Sequence, residues 1–152
     1  MRETKHEMIR SLLVLKACGN AMKAQDMRNK HGAVICYEKK GLVKIVSSGY
    51  NKKGRYNDFL TPCEYSLHAE MDCLRNFGNK LDRHALRLVG KKFEMLVVRF
   101  KNGKLMNSKP CGVCMAMLED SMLETISYSD EYGNIRRINL KEVRNKNNME
   151  EM

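Results

Sequence analysis

Two short segments hold the side chains best suited to chemistry. In TPCEYSLHAE, Thr61 to Glu70, a cysteine, a histidine and a glutamate fall within eight residues, and KPCGVC follows from Lys109 to Cys114. Thiolate and neutral imidazole are donors that Zn2+ favours. A Cys-x-x-Cys turn lets Cys111 and Cys114 converge on one ion, since side chains three apart on a helical turn face the same way. His68, arriving from a neighbouring element, makes a third ligand. Two thiolates and an imidazole neutralise the dication and leave a fourth position for water. Glu70, two residues after His68, is placed to take a proton from such a water and deliver it to a substrate. Cys63 offers another assignment: with His68, Cys111 and Cys114 it would close a four-ligand structural site with no reactive water. Spacing leaves both open.

Both segments fall at expected helix starts, where unpaired backbone N–H groups and the positive end of the helix dipole favour thiolate and other anions. The elements that must carry them can be read from periodicity. Met8, Leu12 and Leu15, with Ile9 and Leu13, predict an apolar stripe on a first helix that Cys18-Gly19-Asn20 interrupts or ends. Ala33 to Tyr37 and Leu42 to Ser48 read as a hairpin whose turn carries Gly41. A polar loop, Asn51 to Tyr65, leads to a second helix with the stripe Leu67, Met71 and Leu74, ending near Gly78. FEMLVVRF is a nearly continuous apolar run of strand length, which predicts a central strand covered on both faces. From Cys111 a third helix follows, with Cys114, Met117 and Leu118 at helical spacing and Pro110 at its start. TISYS is a strand, EYGN a turn, and Ile135 to Val143 fits strand or helix equally. This order predicts a mixed sheet with helices packed on its faces, an α/β sandwich formed as one domain over residues 1–152.

The 152 residues suffice for one core without staples, and a composition of 43% hydrophobic and 30% charged residues excludes a disordered, collagenous or membrane-spanning chain. Folding is therefore not expected to depend on a metal. The apolar runs SLLVL and EMLVV are far too short to cross a bilayer, and MRETKHEMIR does not resemble a signal peptide, so an intracellular, cytoplasmic protein with no membrane partner is expected. Six cysteines without a secretory signal read as reduced thiols; apart from Cys111 and Cys114 they are expected to pack as small hydrophobes. A formal net charge of +10 points to an anionic partner or to a solvated surface. The cations cluster at Lys39 to Arg55 and in the basic C-terminal segment, 135–152.

His68-Ala69-Glu70 and Pro110-Cys111-Gly112-Val113-Cys114 together form the pattern H-x-E…P-C-x-x-C of zinc deaminases. The chain resembles the cytidine and deoxycytidylate deaminase-like superfamily over roughly residues 33–128, including the strands GAVI and SSGYN before the motif. The resemblance implies a three-layer α/β/α sandwich with a five-stranded mixed sheet. It also implies Zn2+ on His68, Cys111 and Cys114, with Glu70 as proton shuttle. Asn51, closing SGYN, matches an asparagine that binds the base or sugar in related enzymes. The implied reaction is hydrolytic deamination, with zinc-bound hydroxide attacking the amino-bearing carbon. An intact Glu70 and a domain that needs no metal staple favour the open, three-ligand site, which leaves Cys63 as a buried thiol or part of the pocket wall.

Within the superfamily the chain departs from each subgroup. GYNKKGRYND replaces the Gly-x-Pro stretch of deoxycytidylate deaminases, EYSLHAE and PCGVC differ from the tRNA adenosine deaminases, and the tryptophan of polynucleotide cytidine deaminases is missing. A free cytosine nucleoside or nucleotide is the favoured substrate. A polynucleotide, tRNA or single-stranded DNA or RNA, is the alternative, for which Tyr50, Tyr56, Phe59 or Tyr65 could stack bases. A second alternative is an inactive, zinc-stabilised binding module. The resemblance further implies a homo-oligomer. The 43 positions from His68 to Cys111 exceed those of compact members, the surplus falling in NFGNKLDRHALRLVGKK and KNGKLMNSK; His84, within it, reads as a surface residue.

Overall fold

The structure is a computed structural model, and it describes residues 5–23, 30–53 and 66–144. In chain order its elements are α1 (Lys5–Ala21), β1 (Lys30–Lys39), β2 (Leu42–Tyr50), β3 (Lys52–Lys53), β4 (Ser66–Leu67), α2 (Ala69–Leu88), β5 (Phe93–Lys101), β6 (Lys104–Met106), α3 (Gly112–Glu119), β7 (Leu123–Ser129) and β8 (Ile135–Asn139). A helical turn at 140–144 follows β8. The segment that read equally as strand or helix is both: β8 and then this turn.

The main sheet runs β2-β1-β5-β7-β8, with β6 on the end of β5. All its pairs are antiparallel except β5 with β7, which are joined through α3. The apolar run expected to be central is β5, bordered by β1 and β7. Its alternate side chains feed two cores. Phe93, Met95 and Val97 join Ile35, Phe77, Leu118 and Ile126 on the face covered by α2 and α3. Leu96 and Val98 join Leu13, Ala17, Val34 and Cys36 under α1. The result is the three-layer α/β/α sandwich, but with six strands rather than five. The extra one, β6, arises because Asn102 (φ 52°) and Gly103 (φ 76°) form the left-handed pair of a two-residue hairpin turn. Lys40 (φ 51°) and Gly41 (φ 76°) make the same turn between β1 and β2.

Two glycines set how closely the helices approach. A Cβ on Gly32 would lie 2.1 Å from the Ala17 carbonyl oxygen of α1, and one on Gly49 would lie 2.4 Å from the Cys73 nitrogen of α2. Backbone therefore packs on backbone at both places.

Two helical expectations need correction. α1 continues through Cys18-Gly19-Asn20 to Ala21; of the expected stripe Leu13 is buried and Leu15 is 67% exposed, the side chains of Met8, Ile9 and Leu12 lie outside the described residues, and beyond Leu13 the buried line runs through Ala17 and Ala21. The close approach at Gly32 requires alanines there, so small residues rather than the leucines define that contact. α2 does not end near Gly78 but runs to Leu88 with a break at His84 (φ −132°, ψ 33°). Leu81 and Leu88 extend its apolar stripe into the core, which outweighs the cost of about 1 kcal/mol for a glycine inside a helix. The surplus between the two motif halves is thus an extended helix and the β5–β6 hairpin. His84 is exposed, as expected.

Candidate metal centre

His68 and Cys111 occupy equivalent places. Each is the N-cap of its helix, His68 of α2 and Cys111 of α3, and neither side chain makes a capping hydrogen bond. Their backbone carbonyls accept the first helical bonds, from Asp72 N–H (3.0 Å) and Met115 N–H (2.8 Å). Imidazole and thiol are thereby projected from two convergent helix N-termini. His68 Nδ1 lies 3.1 Å from Cys114 Sγ and 3.7 Å from Cys111 Sγ, and the three ligand atoms lie within 4.8 Å of one another. Zn–S near 2.3 Å and Zn–N near 2.0 Å would separate the donors of a tetrahedral site by roughly 3.5–3.8 Å. The trio fits zinc in donor chemistry, and its spacing comes within about 1 Å of that geometry.

Electrostatics supports the same occupant. Cys114 is buried, and burial, then Glu70 and Cys111, push its thiol well above the ordinary range. Burial likewise raises the Glu70 carboxyl, opposed by its backbone hydrogen bond, His68 and the Cys114 side chain. Groups able to ionise are crowded at one point where each resists the other's charge. A divalent cation relieves that conflict.

Glu70 is 5% exposed and its carboxyl and the Cys114 thiol lie close enough to perturb each other's protonation, so the proposed shuttle sits beside the ligand trio. Asn51 is also buried, directly after β2; its Oδ1 accepts from His31 N–H (2.9 Å) and its own N–H donates to His31 O (3.4 Å). Cys63 and the aromatic residues Tyr56, Phe59 and Tyr65 lie outside the described residues. Cys36 and Cys73 are buried thiols, each pushed up to about 12 chiefly by burial, as expected of packing cysteines, while Cys18 is half-buried.

Residues 8–130 match the sequence profile of the cytidine and deoxycytidylate deaminase zinc-binding region. The chain belongs to this deaminase family. No curated protein matches it closely enough to show kinship. In this deaminase the zinc ligands available among the described residues are His68, Cys111 and Cys114.

Three neighbours of the deaminase site escaped the sequence reading. Asp72 is buried one helical turn after His68; its Oδ1 accepts from Lys52 Nζ (3.0 Å) and its Oδ2 from Tyr50 N–H (3.1 Å), fixing the end of β2 to α2. His31 and Arg99 are cross-strand partners on β1 and β5. Alternation with Ala33 and Val97 puts both on the face that α2 and α3 cover. Burial, then Arg99 and His68, hold His31 down to about 4, so it is neutral at physiological pH. No motif marks these residues. Asp72 alone carried a signal, as an acid two positions beyond Glu70 in the first turn of a helix.

Proposed function

We propose that this zinc deaminase hydrolyses the exocyclic amine of a free cytosine nucleoside or nucleotide. The observation that carries the reading is the buried Glu70 carboxyl against Cys114, within the trio His68, Cys111 and Cys114. Zinc, when bound, supplies a Lewis acid that makes water nucleophilic near neutral pH. Water adds to the amino-bearing carbon, the C–N bond breaks, and a carbonyl and ammonia result. Glu70 passes one proton of that water to the ring nitrogen as the hydroxyl adds to carbon, and then moves the hydroxyl proton to the departing amine; its raised pKa suits a group that must both take and give a proton. Asn51, its Oδ1 held by His31 N–H, binds the base or sugar.

The small-molecule reading draws on how one basic residue next to Asn51 is used. Lys52, adjoining Asn51, pairs with the buried Asp72 and lies 4.6 Å over the Tyr50 ring rather than being held out toward a phosphate backbone. Ammonia release from cytidine, deoxycytidine, their monophosphates, single-stranded DNA and tRNA, with zinc measured in parallel, tests the reading. Turnover confined to the polynucleotides would establish the alternative. Zinc-loaded protein inert on all of them would favour a binding module. Cys63→Ser should retain zinc and turnover, whereas His68→Ala should lose both.

A further inference from the structure

The parallel ladder of β5 and β7 ends at Val97 and Tyr128, and just beyond it two serines take over the hydrogen bonding. Ser129, the last residue of β7, is 0% exposed, and Ser108, in the loop after β6, is 2% exposed. Their hydroxyls are 2.9 Å apart. Ser108 Oγ donates to Val97 O (2.8 Å) and accepts from Ser129 N–H (3.0 Å), while Ser108 N–H donates to Ser129 O (2.8 Å). Ser129 Oγ donates to Met106 O (2.6 Å) and accepts from Arg99 N–H (3.3 Å). Backbone groups of β5, β6 and β7 that have left the regular ladder are satisfied by this pair, which buried backbone requires.

The seam controls where the chain leaves the sheet to reach Cys111, three residues after Ser108. Cys111 is exposed and its thiol does not cap α3, so its placement depends on the preceding loop. Between Ser108 and Cys111 a further tether among the described residues is local and exposed, from Lys109 N–H to Asn107 Oδ1 (3.1 Å). We propose that Ser108 and Ser129 are positioning residues of the metal centre, holding Cys111 Sγ in register with His68 Nδ1 and Cys114 Sγ without touching the ion. This inference rests on the zinc centre and is independent of the substrate.

The test is zinc affinity by chelator competition, with the spectrum of the Co2+-substituted protein as a second readout of ligand geometry. Ser108→Ala should bind zinc about 10–100-fold more weakly, the usual cost of losing an outer-shell support, and should shift the thiolate-to-cobalt bands. Ser129→Ala should do the same to a smaller degree. Thr125→Val is the control: it deletes a hydrogen bond to Glu94 Oε2 (3.2 Å) in the layer under α1 and should lower the melting temperature with zinc affinity unchanged. Serine variants that lose stability like the control yet bind zinc and cobalt as the wild type does would overturn the proposal. Should Ser108→Ala fail to fold, Ser129→Ala, which keeps the Ser108 bond to Val97, decides by the same titration. A wild-type protein that holds no zinc would overturn the centre and the proposal together.

Discussion

Replacing the buried Glu70 carboxyl by an amide keeps its shape and removes its proton chemistry. Glu70→Gln should retain zinc by metal analysis and lose roughly 10²–10⁴-fold in ammonia release, the range for a general acid–base group. Equal turnover would falsify the shuttle. The proposed role of Glu70 was legible because a two-residue offset from a ligand histidine is a chemical pattern. That of His31 was not, because a histidine before a strand glycine carries no signal until folding sets it opposite Arg99. Its burial makes a pH prediction. Unfolded His31 takes up its proton as pH falls through about 6.5, whereas the folded side chain resists until about 4. In that window the unfolded state binds more protons, so this contribution is fully present above 6.5 and is lost as pH falls towards 4. Unfolding free energies of the wild type and His31→Gln from denaturant titrations, compared from pH 8 to 4, should converge by up to about 3 kcal/mol as acid is added. A constant difference across that range would show that His31 titrates normally in the folded protein.

The hairpin and central strand were readable because alternation and a continuous apolar run are properties of the strands themselves. Helix boundaries were less so. Leu15 faces outward because backbone approach at Gly32 selects Ala17 and Ala21 for the contact, a constraint created by the partner strand. The β5–β6 hairpin was written in Asn102-Gly103, the strongest short hairpin signal, but lay hidden in a segment read as a surface insertion. The two contact glycines give a paired test of what each helix positions. Gly32→Ala and Gly49→Ala both force a Cβ into backbone, and each should cost about 3 kcal/mol or more in denaturant unfolding. Only Gly49→Ala pushes on α2, the helix that begins at His68 and carries Glu70. It should therefore weaken zinc binding beyond its effect on stability, and Gly32→Ala, acting on α1, should not. Equal loss of zinc in both would mean that the metal site follows global stability alone.

Across the molecule, two apolar layers enclose the sheet without a contribution from the ligand trio beyond Cys114. Chelated protein should keep its far-UV circular dichroism and unfold cooperatively at a lower melting temperature, whereas a zinc-dependent fold would collapse on chelation. The net charge of +10 looked at sequence level like a possible polyanion footprint, but several of its cations have work inside the fold. Arg136 pairs with Asp130 (2.8 Å) and Arg137 with Glu94 (3.5 Å). Arg144 donates through Nη2 to Ser121 O (2.7 Å) and Leu123 O (2.9 Å), and through Nε to Glu119 O at the C-terminal end of α3, where a cation complements the helix dipole. Lys91 lies 5.6 Å over the Tyr37 ring. Charge counting could not reveal these partners, since Arg144 and Glu119 are 25 positions apart in sequence. Cations that already have partners within the chain release fewer counterions when a ligand arrives. The Michaelis constant for a cytosine mononucleotide should therefore change only a few-fold between 50 and 200 mM salt, against losses of about 10³–10⁵ for a protein neutralising six to ten phosphates of a duplex. Steady-state kinetics across that range decides, and a steep salt dependence would assign the basic clusters to a nucleic-acid substrate.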